Sequence, residues 1–151
     1  VGSEMCIRDR SVAARLRKHG FKCKTVEITV RDNGLYSFSR QIHLRQSTNI
    51  TNEIVTAAFQ LFKDNYKWEH PIRSLGIRAA DLVLDDIPVQ LDLFGNQEKK
   101  EKLEKLDRTV DEIRRRFGYF SIQRAAMYQD KVLSHLDAGT HTIHPHSYFH
   151  G

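Results

Sequence analysis

The chain has 151 residues, with 24 Lys+Arg against 19 Asp+Glu for a net charge of +5, and 40% of its residues are apolar. That length and apolar content suit one ordinary domain with an appendage, and they leave little room for two independent cores. No run of 18 apolar residues is present to span a membrane, and two cysteines, Cys6 and Cys23, cannot build a disulfide framework, so a reducing, intracellular setting is expected.

Residues 1–9, Val-Gly-Ser-Glu-Met-Cys-Ile-Arg-Asp, resemble the in-frame translation of a transposase adapter used in shotgun sequencing. Residues 1–10 are therefore set aside from fold reasoning, and a native chain extending upstream is expected. Ser11 to Gly20 reads as the end of a helix. Val12, Ala13 and Leu16 share one face, Arg15, Arg17 and Lys18 cover the other, and Gly20 stands where a helix stops. Thr25 to Arg31 alternates, with Val26, Ile28 and Val30 inward and Thr25, Glu27, Thr29 and Arg31 outward, which predicts a half-buried strand. Asp32-Asn33-Gly34 is a turn signal, and a second alternating run follows to Arg45, with Ile42 and Leu44 inward.

Thr51 can cap a helix in which Ile54, Ala58, Leu61 and Phe62 form an apolar stripe. After Pro71, Ile72 to Leu82 predicts a third strand with Leu75, Ile77 and Ala79 on one face. This order predicts an α+β domain over 11–82, an antiparallel sheet with two helices on one face. The other sheet face stays free, with Thr29, Arg31, Gln41, His43 and Arg78 pointing outward.

A linker over 83–97 follows, opened by Asp85-Asp86-Ile87-Pro88. It carries Gln90-Leu91-Asp92-Leu93-Phe94. A helical segment is predicted over 98–127, with Leu103, Leu106, Val110, Ile113 and Phe117 as a two-heptad seam. Two heptads are too few for a coiled coil, so packing against the domain is the expected use. Residues 128–151 predict a disordered tail. Its His141, His144, His146 and His150 have no support for a metal cage.

Charge is unevenly spread. Residues 11–81 hold 12 Lys+Arg against 6 Asp+Glu, whereas 82–151 hold 10 against 11. An anionic partner is thus expected for the first part only. Catalytic chemistry is poorly supported. Asp85 and Asp86 are adjacent and point apart on extended backbone. Asp107 and Asp111 share a helix face but sit among Lys105, Arg108 and Arg115, which reads as a solvated surface. Cys23 stands alone between Lys22 and Lys24, where a structural role is the ordinary reading.

Four pieces together carry a resemblance: Val12–Arg17, Thr25–Arg31, Phe38-Ser39-Arg40-Gln41, and Ile72–Arg78. In order and spacing they resemble the little-finger domain of Y-family translesion DNA polymerases. Leu106–Gly118 is similar to the C-terminal helix of UmuC-like members. The resemblance implies a four-stranded sheet with two helices, here cut just after its first strand. It implies a chain without polymerase activity of its own, cofactor-free and monomeric, whose longer parent would be a Mg2+-dependent DNA-directed DNA polymerase acting in DNA repair. By motif match, Thr29, Arg31, Ser39, Arg40, Gln41, Arg73 and Arg78 would meet the phosphates of duplex DNA, including damaged primer-template. Gln90, Leu91, Asp92, Leu93 and Phe94 resemble the pentapeptide by which bacterial polymerases bind the sliding clamp, and imply that partner. The implied setting is the bacterial cytoplasm, at the nucleoid and away from membranes. A free-standing basic α+β module that binds nucleic acid or protein is the alternative. Aromatic residues on the free sheet face would favour RNA, and Tyr36 and Phe38 alone lie near it.

Overall fold

The computed structural model describes residues 11–86, 97–123 and 125. A helix over 11–18 (α1) leads into β1 (Phe21–Asp32) and β2 (Ser37–Thr48), then α2 (Thr51–Asn65), β3 (Ile72–Leu84) and α3 (Gln97–Phe117). The strands form one antiparallel sheet in the order β2-β1-β3. The architecture is α+β, as the hydrophobic patterning predicts.

β1 is the central strand and supplies the floor of the core. Val26, Ile28 and Val30 are almost completely buried, and they meet Ala13 and Leu16 of α1, Ile54, Ala58, Leu61 and Phe62 of α2, and Leu75 of β3. Burying each such aliphatic side chain stabilises the fold by about 1.5–3 kcal/mol. Both helices therefore cover one face of the sheet.

Three details differ from the simple alternation. First, the strands run longer than predicted, because pairing continues from Phe21↔Leu84 at one end to Asp32↔Ile72 at the other. Second, the register of β2 against β1 jumps between Cys23↔Thr48 and Thr25↔His43, so residues 44–47 of β2 lie opposite Lys24 alone. Such a bulge shifts the phase of the pleat, and Cys23 and Val26, three apart, both enter the core. Third, Ile42 stays 37% exposed on the helix side, because β2 is an edge strand. It lines an open cleft of about 820 Å³ with Leu44, Ala57 and Leu103.

The Asp32-Asn33-Gly34 signal does mark the hairpin. The residue in the left-handed region, however, is Leu35, with φ 68°. Asp32 holds the turn from both sides: its N–H donates to the Tyr36 carbonyl at 3.0 Å and its carboxylate accepts from the Tyr36 N–H at 3.0 Å. Cys23 is buried, and its Sγ lies 3.4 Å from the Thr48 carbonyl. Burial pushes the thiol up to about 11, so at neutral pH it is protonated and structural.

α3 packs against the domain through only part of the predicted seam, whose Leu103, Val110 and Ile113 are half-buried. Leu106 and Phe117 remain 53% and 73% exposed. The helix also docks through a polar stripe that includes Lys100, Glu104, Asp107 and Asp111. Asp107 and Asp111, read from the sequence as solvated, both pair with Arg17 of α1, at 3.2 and 2.6 Å. Arg17 itself, assigned to the outer face of its helix, is only 9% exposed along its side chain. Its Nη1 also donates to the Asn49 carbonyl at 2.7 Å and to the Thr51 hydroxyl at 3.2 Å.

The start of α2 is a further correction. Thr51 does not cap it; the N-cap position is Ile50, which makes no side-chain bond. The Thr51 N–H donates instead to Asp107 Oδ2 at 2.7 Å, so a carboxylate from α3 satisfies an orphan donor at the N-terminus of α2.

Candidate nucleic-acid interface

Residues directly opposite one another in a sheet share a face. The register therefore assigns each predicted contact. On the face away from the helices, Gln41–Glu27–Arg78 form one row across β2, β1 and β3. Ser39–Thr29–Gly76 form the next, and Ser37–Arg31–Ser74 the third. Thr29 and Ser39 hydroxyls stand 2.9 Å apart. Five of the seven predicted residues, Thr29, Arg31, Ser39, Gln41 and Arg78, thus come together on one exposed surface.

The other two do not. Arg40 pairs with Ile28 and, across the sheet, Ile77, which places it on the helix side. Its guanidinium lies 5.4 Å from the Phe38 ring centroid, and Nη1 donates to the Ser39 carbonyl at 2.9 Å. Arg73 falls in the irregularity between the Arg31↔Ser74 and Asp32↔Ile72 pairs and has no partner position in β1. Phe38 likewise leaves the free face: it pairs with Val30 and stacks on Tyr66 at 6.3 Å.

Several residues of this surface were missed from the sequence. Ser37, Ser74 and Gly76 complete its rows, and only the pairing register could have found them. Gly76 lacks a side chain next to Thr29, where an added Cβ would come 3.6 Å from the Thr29 Cβ. At the far end, the Thr25 hydroxyl donates to Asp81 and lies 2.7 Å from His43 Nδ1, which explains why Thr25 is buried on an otherwise open face. Asp81 adopts φ 51° to reach that position.

Chemically, the face offers two guanidinium groups, a line of hydroxyls and one carboxamide, with Glu27 as the carboxylate between Gln41 and Arg78. Guanidinium, hydroxyl and carboxamide groups all suit phosphate oxygens. Among the described residues, no three His, Cys, Asp or Glu cluster as metal ligands do. Asp85 pairs with Lys22 at 2.8 Å, and lies 3.7 Å from Arg108. Residues Gln90–Phe94 and the His-rich tail lie outside the described residues. Among the described residues no helix is long and apolar enough to cross a membrane.

Comparison with known proteins gives the chain a family. The model of the impB/mucB/samB family C-terminal domain matches residues 10–93. The chain is 40% identical over 130 residues to a DNA polymerase IV of Acetivibrio thermocellus, an alignment covering 86% of this chain and 33% of that polymerase. It is 33% identical over 114 residues to a DNA polymerase IV of Pelotomaculum thermopropionicum, covering 76% of this chain and 27% of that one. A third, from Dehalococcoides mccartyi, is 30% identical over 121 residues, with 80% and 30% covered. The chain thus spans about a third of the length of the curated relatives it matches. The chain belongs to the impB/mucB/samB family of Y-family polymerases, whose C-terminal domain it carries over residues 10–93.

Proposed function

We propose that the domain holds duplex DNA through its free sheet face, by phosphate contacts that do not read sequence, as part of a DNA polymerase of the DNA polymerase IV type. The observation that carries this is the coincidence of Arg31, Arg78, Thr29, Ser39 and Gln41 on the one sheet face that, among the described residues, no helix covers. Indifference to sequence suits synthesis across damaged templates in DNA repair. Nucleotide addition with Mg2+ would fall to other parts of the polymerase, and the nucleoid of a bacterial cytoplasm is where the domain would meet its DNA.

Binding should depend on salt. If about three phosphates are neutralised, log affinity should fall against log salt with a slope near −2.7. Anisotropy titrations of a blunt duplex at several salt concentrations measure this. A salt-independent affinity, or strong preference for one sequence, would refute phosphate holding.

A second attachment is proposed for Gln90–Phe94, which lies between β3 and α3 in the chain. Leu93 and Phe94 would enter an apolar cleft of a bacterial sliding clamp while Gln90 hydrogen-bonds its rim. Burial of the two anchors offers roughly 1.5–3 kcal/mol each, and ordering the peptide offsets much of it, so a micromolar affinity is expected. Titrating the full chain against a clamp, beside its Leu93→Ala/Phe94→Ala version, tests this. Equal binding by both would show that the pentapeptide is not the anchor.

A further inference from the structure

Arg40 is not beside the duplex face but at a second, smaller site. The β1–β2 hairpin and the end of α2 enclose a cleft of about 370 Å³. Tyr36, Phe38 and Tyr66 give it aromatic walls, and Arg40, Lys67 and Glu69 give it charged ones. Beside it stands Trp68, whose ring centroid is 5.5 Å from that of Tyr66 and 5.8 Å from that of Phe62. Tyr36 is 69% exposed and Trp68 67% exposed. Two large rings left in water next to a guanidinium and an ammonium are what an unpaired nucleotide needs: a stacking partner for its base and a cation for its phosphate.

We propose that this cleft binds an unpaired nucleotide of a single-stranded DNA extension, with its base stacked against Tyr36 and its phosphate beside Arg40 and Lys67. Position supports this occupant. Arg31, Ser37 and Ser74, the last row of the free face, sit at the same hairpin end of the sheet as Tyr36. A strand leaving a duplex on that face passes from the row onto the hairpin and into the cleft. Only this delivery route rests on the duplex-holding reading; the cleft's own chemistry does not. Charge sets the cleft apart from the free face. Asp32 and Glu69 formally balance Arg40 and Lys67, so stacking rather than counterion release should dominate.

Trp68 is the chain's one tryptophan, so its emission reports on this end of the molecule alone. The full chain is titrated with a short oligothymidylate, following Trp68 emission, and separately with a blunt duplex, following anisotropy. The oligonucleotide should quench Trp68. Tyr36→Ala should weaken its binding about tenfold, while Tyr36→Phe should bind within about twofold of the parent, since the ring is retained. Arg31→Ala with Arg78→Ala should weaken the duplex and leave the oligonucleotide affinity within about twofold. Unquenched emission at saturation, or Tyr36→Ala binding as tightly as the parent, overturns the proposal. So does oligonucleotide binding lost with the two arginines, which would place the strand on the sheet face and leave the duplex reading intact. Quenching that is sensitive to Tyr36 in a chain that ignores duplex supports the cleft and removes the duplex reading instead.

Discussion

Replacing Arg17 with alanine should cost about 3 kcal/mol or more of stability, the penalty for leaving a buried ion pair with one partner. Its guanidinium is held by four groups from three segments: Asp111 and Asp107 on α3, the Asn49 carbonyl before α2, and the Thr51 hydroxyl at the start of α2. Removing it leaves two carboxylates without their cation and the Asn49 carbonyl without this donor. Urea denaturation should show the midpoint lowered, and for a domain of this size the melting temperature should fall by more than about 10 °C. Arg17→Lys keeps a charge but loses the two-pronged contact with Asp111, so an intermediate loss is expected. Asp107→Asn keeps an acceptor for the Thr51 N–H and should cost less than Asp107→Ala, which also strips the helix start; the difference should be about 1 kcal/mol. A loss below about 1 kcal/mol for Arg17→Ala, the range of exposed pairs, would show that α3 is not held this way. The Lys100 to Glu53 contact of α3, at 4.0 Å, is longer and more exposed and should matter little.

Reversing both guanidinium positions of the free face, Arg31→Glu with Arg78→Glu, should abolish useful duplex binding. Two of about three neutralised phosphates are lost and two repulsive charges are added. The salt slope should shrink from near −2.7 to about −0.9. Affinity at low salt should fall about a hundredfold, equivalent to about 2.8 kcal/mol. Glu27 provides the opposite control. It lies in the row between Gln41 and Arg78, so Glu27→Gln should tighten binding and steepen the slope. Stability should change little in either case, because Arg31 and Arg78 are exposed. Unchanged affinity in the double reversal, with the fold intact by circular dichroism, would move the DNA to another surface.

Much of the sheet was legible because apolar alternation has a physical cause. Val26, Ile28 and Val30 must face the helices, and Ile54, Ala58, Leu61 and Phe62 repeat at the pitch of the helix that covers them. What alternation cannot show is the phase of a strand after a bulge, or which partner lies opposite. Arg40 sits one residue from Ser39 and Gln41, and the pleat sends it to the other face. The free face needed pairing to reveal Ser37, Ser74 and Gly76. Charged residues were harder still. Arg17, Asp107 and Asp111 look like solvated surface in the sequence because their burial depends on each other across 90 and 94 positions of chain. The apolar row of α3 suggested a seam, of which Leu103, Val110 and Ile113 are half-buried; what the row could not show is the polar stripe beside it, because its partners lie on other elements, Arg17 on α1 among them.

The Asp107–Thr51 contact has a consequence for how the protein is made. Its two residues are 56 positions apart. At about 5–20 residues per second, a ribosome adds that stretch in roughly 3–11 s. For those seconds α2 has its apolar stripe but not the carboxylate at its first turn, and Arg17 is synthesised still earlier, without either aspartate. The nascent sheet, α1 and α2 therefore lack these contacts until α3 emerges. A chaperone has its opening in that interval, and a pause in translation between α2 and α3 would lengthen it.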